Sequence, residues 1–84
     1  MEYRFQFTPS FEKQLKKLKQ KDTALFERLT KKLKEIAQSP EHYKPLRNVL
    51  AGCRGVHLDP FVIVFEIQGD LIIVHYVKHH DEAY

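Results

Sequence analysis

Four side chains near the end of this 84-residue chain can handle protons: His57, Asp59, His80 and Tyr84. Imidazoles ordinarily titrate near neutrality, so two of them can serve as base and acid in one turnover. His57 and Asp59 close one apolar-rich stretch, and His80 and Tyr84 follow another. Four cations can hold a phosphate beside them: Arg54 and Lys78 next to these positions in sequence, and Lys44 and Arg47 near the start of the sheet. The combined inventory suits RNA cleavage. A base takes the 2′-hydroxyl proton, a cation stabilises charge on the phosphorane, and an acid protonates the departing 5′-oxygen. The ring of Tyr84 can stack on a base.

The other chemistries are poorly served. Five histidines invite a metal reading, with His75, His79 and His80 clustered, but no close set of Cys or carboxylate ligands accompanies them. No metal and no cofactor are expected. His75 reads as a half-buried strand residue and His42 as surface. Gly52, Gly55 and Gly69 match neither a P-loop nor a dinucleotide fingerprint. No Ser-His-Asp order occurs, and the lone Cys53 reads as core rather than nucleophile.

Positioning these groups falls to a small set of elements. Phe61 to Ile67 and Leu71 to Val77 are β-branched and aromatic runs separated by a Gly-Asp turn, which is a hairpin signature. Phe61 to Ile67 is almost wholly apolar, as a central strand covered on both faces should be. A weaker strand is expected over Ala51 to His57, with Gly52 and Gly55 weakening it or marking a bulge, and Asp59-Pro60 as a turn. Near the N-terminus, Tyr3 to Phe7 alternates like a half-buried strand. Thr8-Pro9 then starts a helix whose apolar stripe is Phe11, Leu15 and Leu18. Asp22 caps a second helix carrying Leu25, Phe26, Leu29, Leu33 and Ile36, ended by Ser39-Pro40. So short a connection makes the helices antiparallel, and their narrow stripes need a sheet to cover. Pro40 to Leu50 reads as a connection.

The expected fold is α+β in the order β-α-α-β-β-β: an N-terminal strand, a helical hairpin and a three-stranded, mainly antiparallel sheet. No repeat or linker divides residues 1–84, so one domain is expected. No apolar run approaches the roughly 20 residues of a membrane span, and a single cysteine fits a reducing compartment; a cytoplasmic protein is expected. The net charge of +3 is unevenly placed. Up to Leu50 there are twelve Lys or Arg against six acids; from Ala51 onward, two against five. The basic surplus on the N-terminal half points to a polyanion or an acidic protein partner.

This pattern resembles the RelE/ParE superfamily of toxins from type II toxin–antitoxin pairs. The matching features are Pro45-Leu46-Arg47, Leu50-Ala51-Gly52, Arg54-Gly55-Val56-His57-Leu58-Asp59-Pro60, Val62 to Ile67, and His80 to Tyr84. Within the superfamily, a His-x-acid-Pro segment before the central strand and a His four residues before a terminal aromatic are most like the YafQ branch. The resemblance implies a ribosome-dependent endoribonuclease that cuts translated mRNA and is neutralised by a cognate antitoxin. Its partners would be the antitoxin and mRNA on ribosomal RNA, with no membrane. His57 and His80 match the branch's catalytic histidines, Asp59 lies at or beside its acidic position, and Tyr84 matches its terminal aromatic. Lys44 stands where that branch has a further histidine. Val62 stands where RelE-like members often carry an arginine. Proton transfer would then fall to His57 and His80, in either order, and phosphate binding to Arg54 and Lys44. A ParE-like inhibitor of DNA gyrase and an inactive toxin fold that only binds an antitoxin are the competing readings on the same scaffold.

Overall fold

A computed structural model describes residues 2–83 of the chain, with side chains through residue 81. The elements are β1 (Arg4–Phe7), α1 (Pro9–Lys21), α2 (Thr23–Gln38), β2 (Lys44–Pro45), β3 (Arg54–Leu58), β4 (Phe61–Gln68), β5 (Leu71–His79) and a terminal turn of helix, α3 (His80–Ala83). Short 3-10 turns at Pro40–His42 and Asn48–Leu50 flank β2. The fold is α+β, with the helical hairpin packed on one face of a five-stranded sheet ordered β1-β5-β4-β3-β2.

The helix starts follow from their caps. The Thr8 hydroxyl accepts the Phe11 N–H at 3.2 Å, and Pro9 occupies the first turn where its missing N–H costs nothing. Asp22 serves two helices at once. Its N–H donates to the Leu18 carbonyl at 2.8 Å to close α1, while its carboxylate accepts the Leu25 N–H at 3.1 Å to open α2. A single residue therefore turns the chain, and the helices run antiparallel as expected.

Two differences from the expected sheet stand out. β1 joins β5 in parallel, Arg4 to Phe7 opposite Leu71 to Val74, and so extends the three-stranded sheet. And the segment read as a plain connection contributes β2, whose two residues pair with Gly55 and Arg54. Two residues are too few to show alternation, and Pro45 is tolerable only because this strand is an edge. β3 begins later than expected, at Arg54, because Ala51 and Gly52 form a turn. Gly52 sits at φ +93°, so this glycine serves that turn. β3 pairs with β4 in unbroken register, and a shift falls between β4 and β5, at Val64/Phe65.

β5 outruns β1, which would leave backbone groups bare beyond Val74. Side chains take over there: the Thr8 hydroxyl donates to the His75 carbonyl at 2.7 Å. The Gln14 amide both donates to the Val77 carbonyl, at 2.7 Å, and accepts its N–H, at 2.9 Å. Gln14 thus imitates a neighbouring strand and fastens α1 to the sheet.

The core lies between the helices and one sheet face: Phe11, Leu25, Leu29, Leu33 and Ile36 against Val56, Leu58, Ile63, Phe65, Ile72, Val74 and Val77. The opposite face carries a smaller cluster in which Val62 and Val64 are fully buried beneath Leu46, Cys53 and Tyr76. β4 is therefore covered on both sides, as its unbroken apolar run implied. Among the described residues no helix is long and apolar enough to cross a membrane.

Removing the fully buried Phe65 side chain should cost about 3–5 kcal/mol. Val49→Ala, at a residue 98% exposed, should stay within about 0.5 kcal/mol of the parent. Urea unfolding of the two variants checks the contrast.

Candidate active site

Directly paired residues of an antiparallel ladder share a face. His57 (β3) and Lys78 (β5) both pair with Val62 of β4, so all three form one row across the face turned away from the helices. His80 enters the same neighbourhood from the end of β5. Its N–H donates to the Pro60 carbonyl at 2.8 Å, which ties the chain end to the β3–β4 turn. The imidazoles of His57 and His80 then lie 5.6 Å apart between centroids, with their planes 31° from parallel. Both are exposed to solvent. Two imidazoles at that separation can serve one phosphodiester, one taking a proton and the other supplying one.

The next row along the face holds Tyr76, Val64, Gly55 and, at the edge, Lys44. Strand geometry puts it roughly 7 Å from the His57 row. The Lys78 ammonium sits 5.2 Å from the centroid of the Tyr76 ring, a cation–π contact that draws the charge from the His57 row toward the Tyr76 row. Burial raises the Tyr76 hydroxyl's pKa, and Cys53 raises it further. The Cys53 thiol is likewise pushed up, by burial first and by the Glu66 charge second, which favours a protonated core thiol over a nucleophile.

A third group on this face was not read from the sequence. At the shift opposite Val64 and Phe65, His75 is the extra residue of β5, and its Nε2 lies 2.7 Å from Glu66 Oε1. The bond from His75 holds Glu66 below the usual carboxylate range, and a bond from Gln68 Nε2 at 3.2 Å to the other oxygen adds to it. Strict alternation along β5 would have turned Tyr76 and Lys78 to this face and His75 to the other, so only the bulge explains the pair.

The remaining sequence-derived candidates distribute as follows. Lys44 shares the face of His57, exposed, one row away. Arg47 is exposed in the loop around a depression of about 480 Å³ lined by Lys44 to Leu50. Asp59 is exposed in the turn after β3, its backbone carbonyl accepting from Arg28 at 3.0 Å. Tyr84 lies outside the described residues. Arg54 is not brought to the histidines: it pairs with Phe65 on the helix side of the sheet. There its guanidinium donates to the carbonyls of Tyr43, at 2.7 Å, and Glu41, at 3.3 Å. That role is structural, pinning the segment between α2 and β2. Of the other histidines, His79 packs edge-on to Phe61 and His42 to Tyr43. Among the described residues no three His, Cys, Asp or Glu side chains gather as metal ligands.

A helical hairpin on one face of a five-stranded sheet is the fold of the RelE, YoeB and YafQ toxins. The RelBE2 toxin–antitoxin complex of Mycobacterium tuberculosis matches over 94% of this chain and 99% of that one, with a TM-score of 0.81 at 20% identity. A YafQ mutant from E. coli matches over 98% of each chain, with a TM-score of 0.72 at 13% identity. A protein of Methanocaldococcus jannaschii that carries the toxin name RelE4 is 39% identical over 98% of this chain and 90% of its own length. The model of the ParE toxin of the type II toxin–antitoxin system parDE matches residues 5–84. The chain belongs to this ParE/RelE family of toxins. The likenesses do not single out the YafQ branch.

Glu66→Gln tests the third group. Glu66 is held below its unfolded value, so its contribution to stability is complete above the ordinary carboxylate range and is lost as pH falls through the lowered value. The gap in melting temperature between parent and Glu66→Gln should therefore be widest at neutral pH and narrow on acidification. A gap unchanged down to pH 3 would contradict the pairing.

Proposed function

We propose that this toxin is a ribosome-dependent endoribonuclease that cuts translated mRNA, with a histidine-based site of the YafQ kind. The observation that carries the reading is the His57–His80 pair, 5.6 Å apart beside Lys78. One imidazole removes the 2′-hydroxyl proton, and O2′ attacks the adjacent phosphorus. The P–O5′ bond breaks as the other imidazole protonates O5′. The products are a 2′,3′-cyclic phosphate and a 5′-hydroxyl. Lys78 and Lys44, both on this face, stabilise the charge that builds on the phosphoryl oxygens. Asp59 orients its neighbouring imidazole, and Tyr84 stacks on a base. Arg54 is left out of phosphate binding because it lies on the helix side of the sheet, where its Nη1 donates to backbone carbonyls.

Such an enzyme needs restraint, and the RelBE2 relative is a complex with an antitoxin. On this chain the helices present Lys13, Lys16, Lys17 and Lys19 to solvent. A groove between helices and sheet, floored by Leu18, Leu25, Phe61 and Val77, is rimmed by Lys17, Lys21 and His79. An acidic, amphipathic antitoxin segment that folds on binding fits this combination. The enzyme then acts in the cytoplasm, where ribosomes are.

The description of the matching family model favours a second reading, a ParE-like block of DNA gyrase, which needs no acid–base pair. Induced expression separates the two. Nuclease action yields new mRNA 5′ ends within translated codons, whereas gyrase inhibition yields DNA-damage signalling with intact messages. His57→Ala and His80→Ala should each lower cleavage by about 10²–10⁴-fold, the usual worth of a positioned acid or base. Because both side chains are exposed, their melting temperatures should stay near the parent's. A folded His80→Ala protein that cleaves at the parent rate would overturn the assignment.

A further inference from the structure

The face that carries His57 and His80 also carries a carboxylate, and a carboxylate is out of place where a polyanion binds. Glu66 lies four residues along β4 from Val62, roughly 13 Å from the histidine row, with Tyr76 in the row between. Its side chain is 27% exposed and fixed from both sides, by His75 on Oε1 and Gln68 on Oε2. A carboxylate offers about four lone-pair sites, two on each oxygen. His75 uses one and Gln68 one, so each oxygen keeps a single site. A donor pair that supplies one N–H to each oxygen matches that count. Phosphate is repelled by this group, and uracil, with one ring N–H between two carbonyls, satisfies only half of it. Guanine presents N1–H and N2–H side by side on its Watson–Crick edge.

We propose that Glu66, held by His75 and Gln68 beside the Tyr76 ring, is a base-reading subsite for a guanine near the scissile phosphate. The inference rests on the nuclease reading above and goes beyond it by naming what the enzyme recognises. The Tyr76 ring is braced over Val62 and Val64, and its outer face takes the base once the Lys78 ammonium that lies over it moves to phosphate. Lys78, anchored on the same ring, links the subsite to the histidine pair and steers the intervening phosphate. His75 does not touch RNA in this arrangement; it is a positioning residue that fixes the Glu66 carboxylate. The pair is a fixed, partly exposed acceptor already aimed before substrate arrives, so little ordering is needed on binding.

The test maps cleavage sites on ribosome-bound mRNA for the parent and for variants of this cluster. The parent should show guanine enriched at one fixed distance from the cut. Glu66→Gln should lower that enrichment by about tenfold, the discrimination expected of one good bidentate contact. Glu66→Asp, which keeps the charge but withdraws the carboxylate, should lower it in the same direction. His75→Ala should weaken the preference and His75→Gln, which can still donate to Glu66, should restore it; a merely structural role for the pair would move stability and leave the preference in place. Tyr76→Phe should retain the preference and Tyr76→Leu lose it. A parent that cuts with no guanine bias, or folded Glu66→Gln and Glu66→Asp proteins with the parent's profile, would overturn the subsite alone. A parent that cuts no RNA would overturn the nuclease reading and the subsite with it.

Discussion

Everything in this molecule depends on β4 being buried on both faces. Ile63 and Phe65 point into the helix-side core while Val62 and Val64 are sealed beneath a smaller cluster on the other side. An 84-residue chain has little apolar surface to bury, so placing one strand at the centre of two clusters is an economical use of it. The consequence is positional. With β4 fixed, its partners β3 and β5 are held in register, and His57 and Lys78 are carried to either side of Val62. The chemistry-bearing face is thus an outgrowth of the core.

The two faces divide the labour. Helices, apolar core and most of the lysines lie on one side; the imidazole pair, two lysines and the Glu66–His75 pair lie on the other. Arg54 shows why the division is strict. It is three residues from His57 on one strand, an odd spacing, so the two must face opposite ways. Its guanidinium spends itself on the carbonyls of Glu41 and Tyr43, holding the entry to β2, which in turn puts Lys44 on the histidine face. A cation on the helix side thus still places another on the histidine face.

Much of the scaffold was legible in the residues. Thr8-Pro9 and Asp22 announced the helix starts, and Gly69, found at φ +61°, announced the β4–β5 turn. The apolar run of β4 announced its double burial. β2 was not legible because two residues carry no period, and the parallel pairing of β1 with β5 is a tertiary choice that local pattern does not encode. On the functional side, His57 and His80 stood out as proton-transfer groups at strand ends, and resemblance to a toxin family then matched them to catalytic positions; spacing alone could not bring residues so far apart together. Arg54 could have been set aside by counting alternation. Glu66 and His75 could not have been found, since they meet only because β5 carries one extra residue opposite Val64 and Phe65.

Under the proposed function this face performs transesterification, one imidazole taking a proton and the other giving one. The chemistry at the cut ends addresses that claim most directly. Purified protein acting on ribosomes programmed with a defined mRNA should leave a 2′,3′-cyclic phosphate and a 5′-hydroxyl. It should fail on a message carrying a 2′-deoxynucleotide at the scissile position. A 3′-hydroxyl with a 5′-phosphate, or cleavage that persists without the 2′-hydroxyl, would contradict the account.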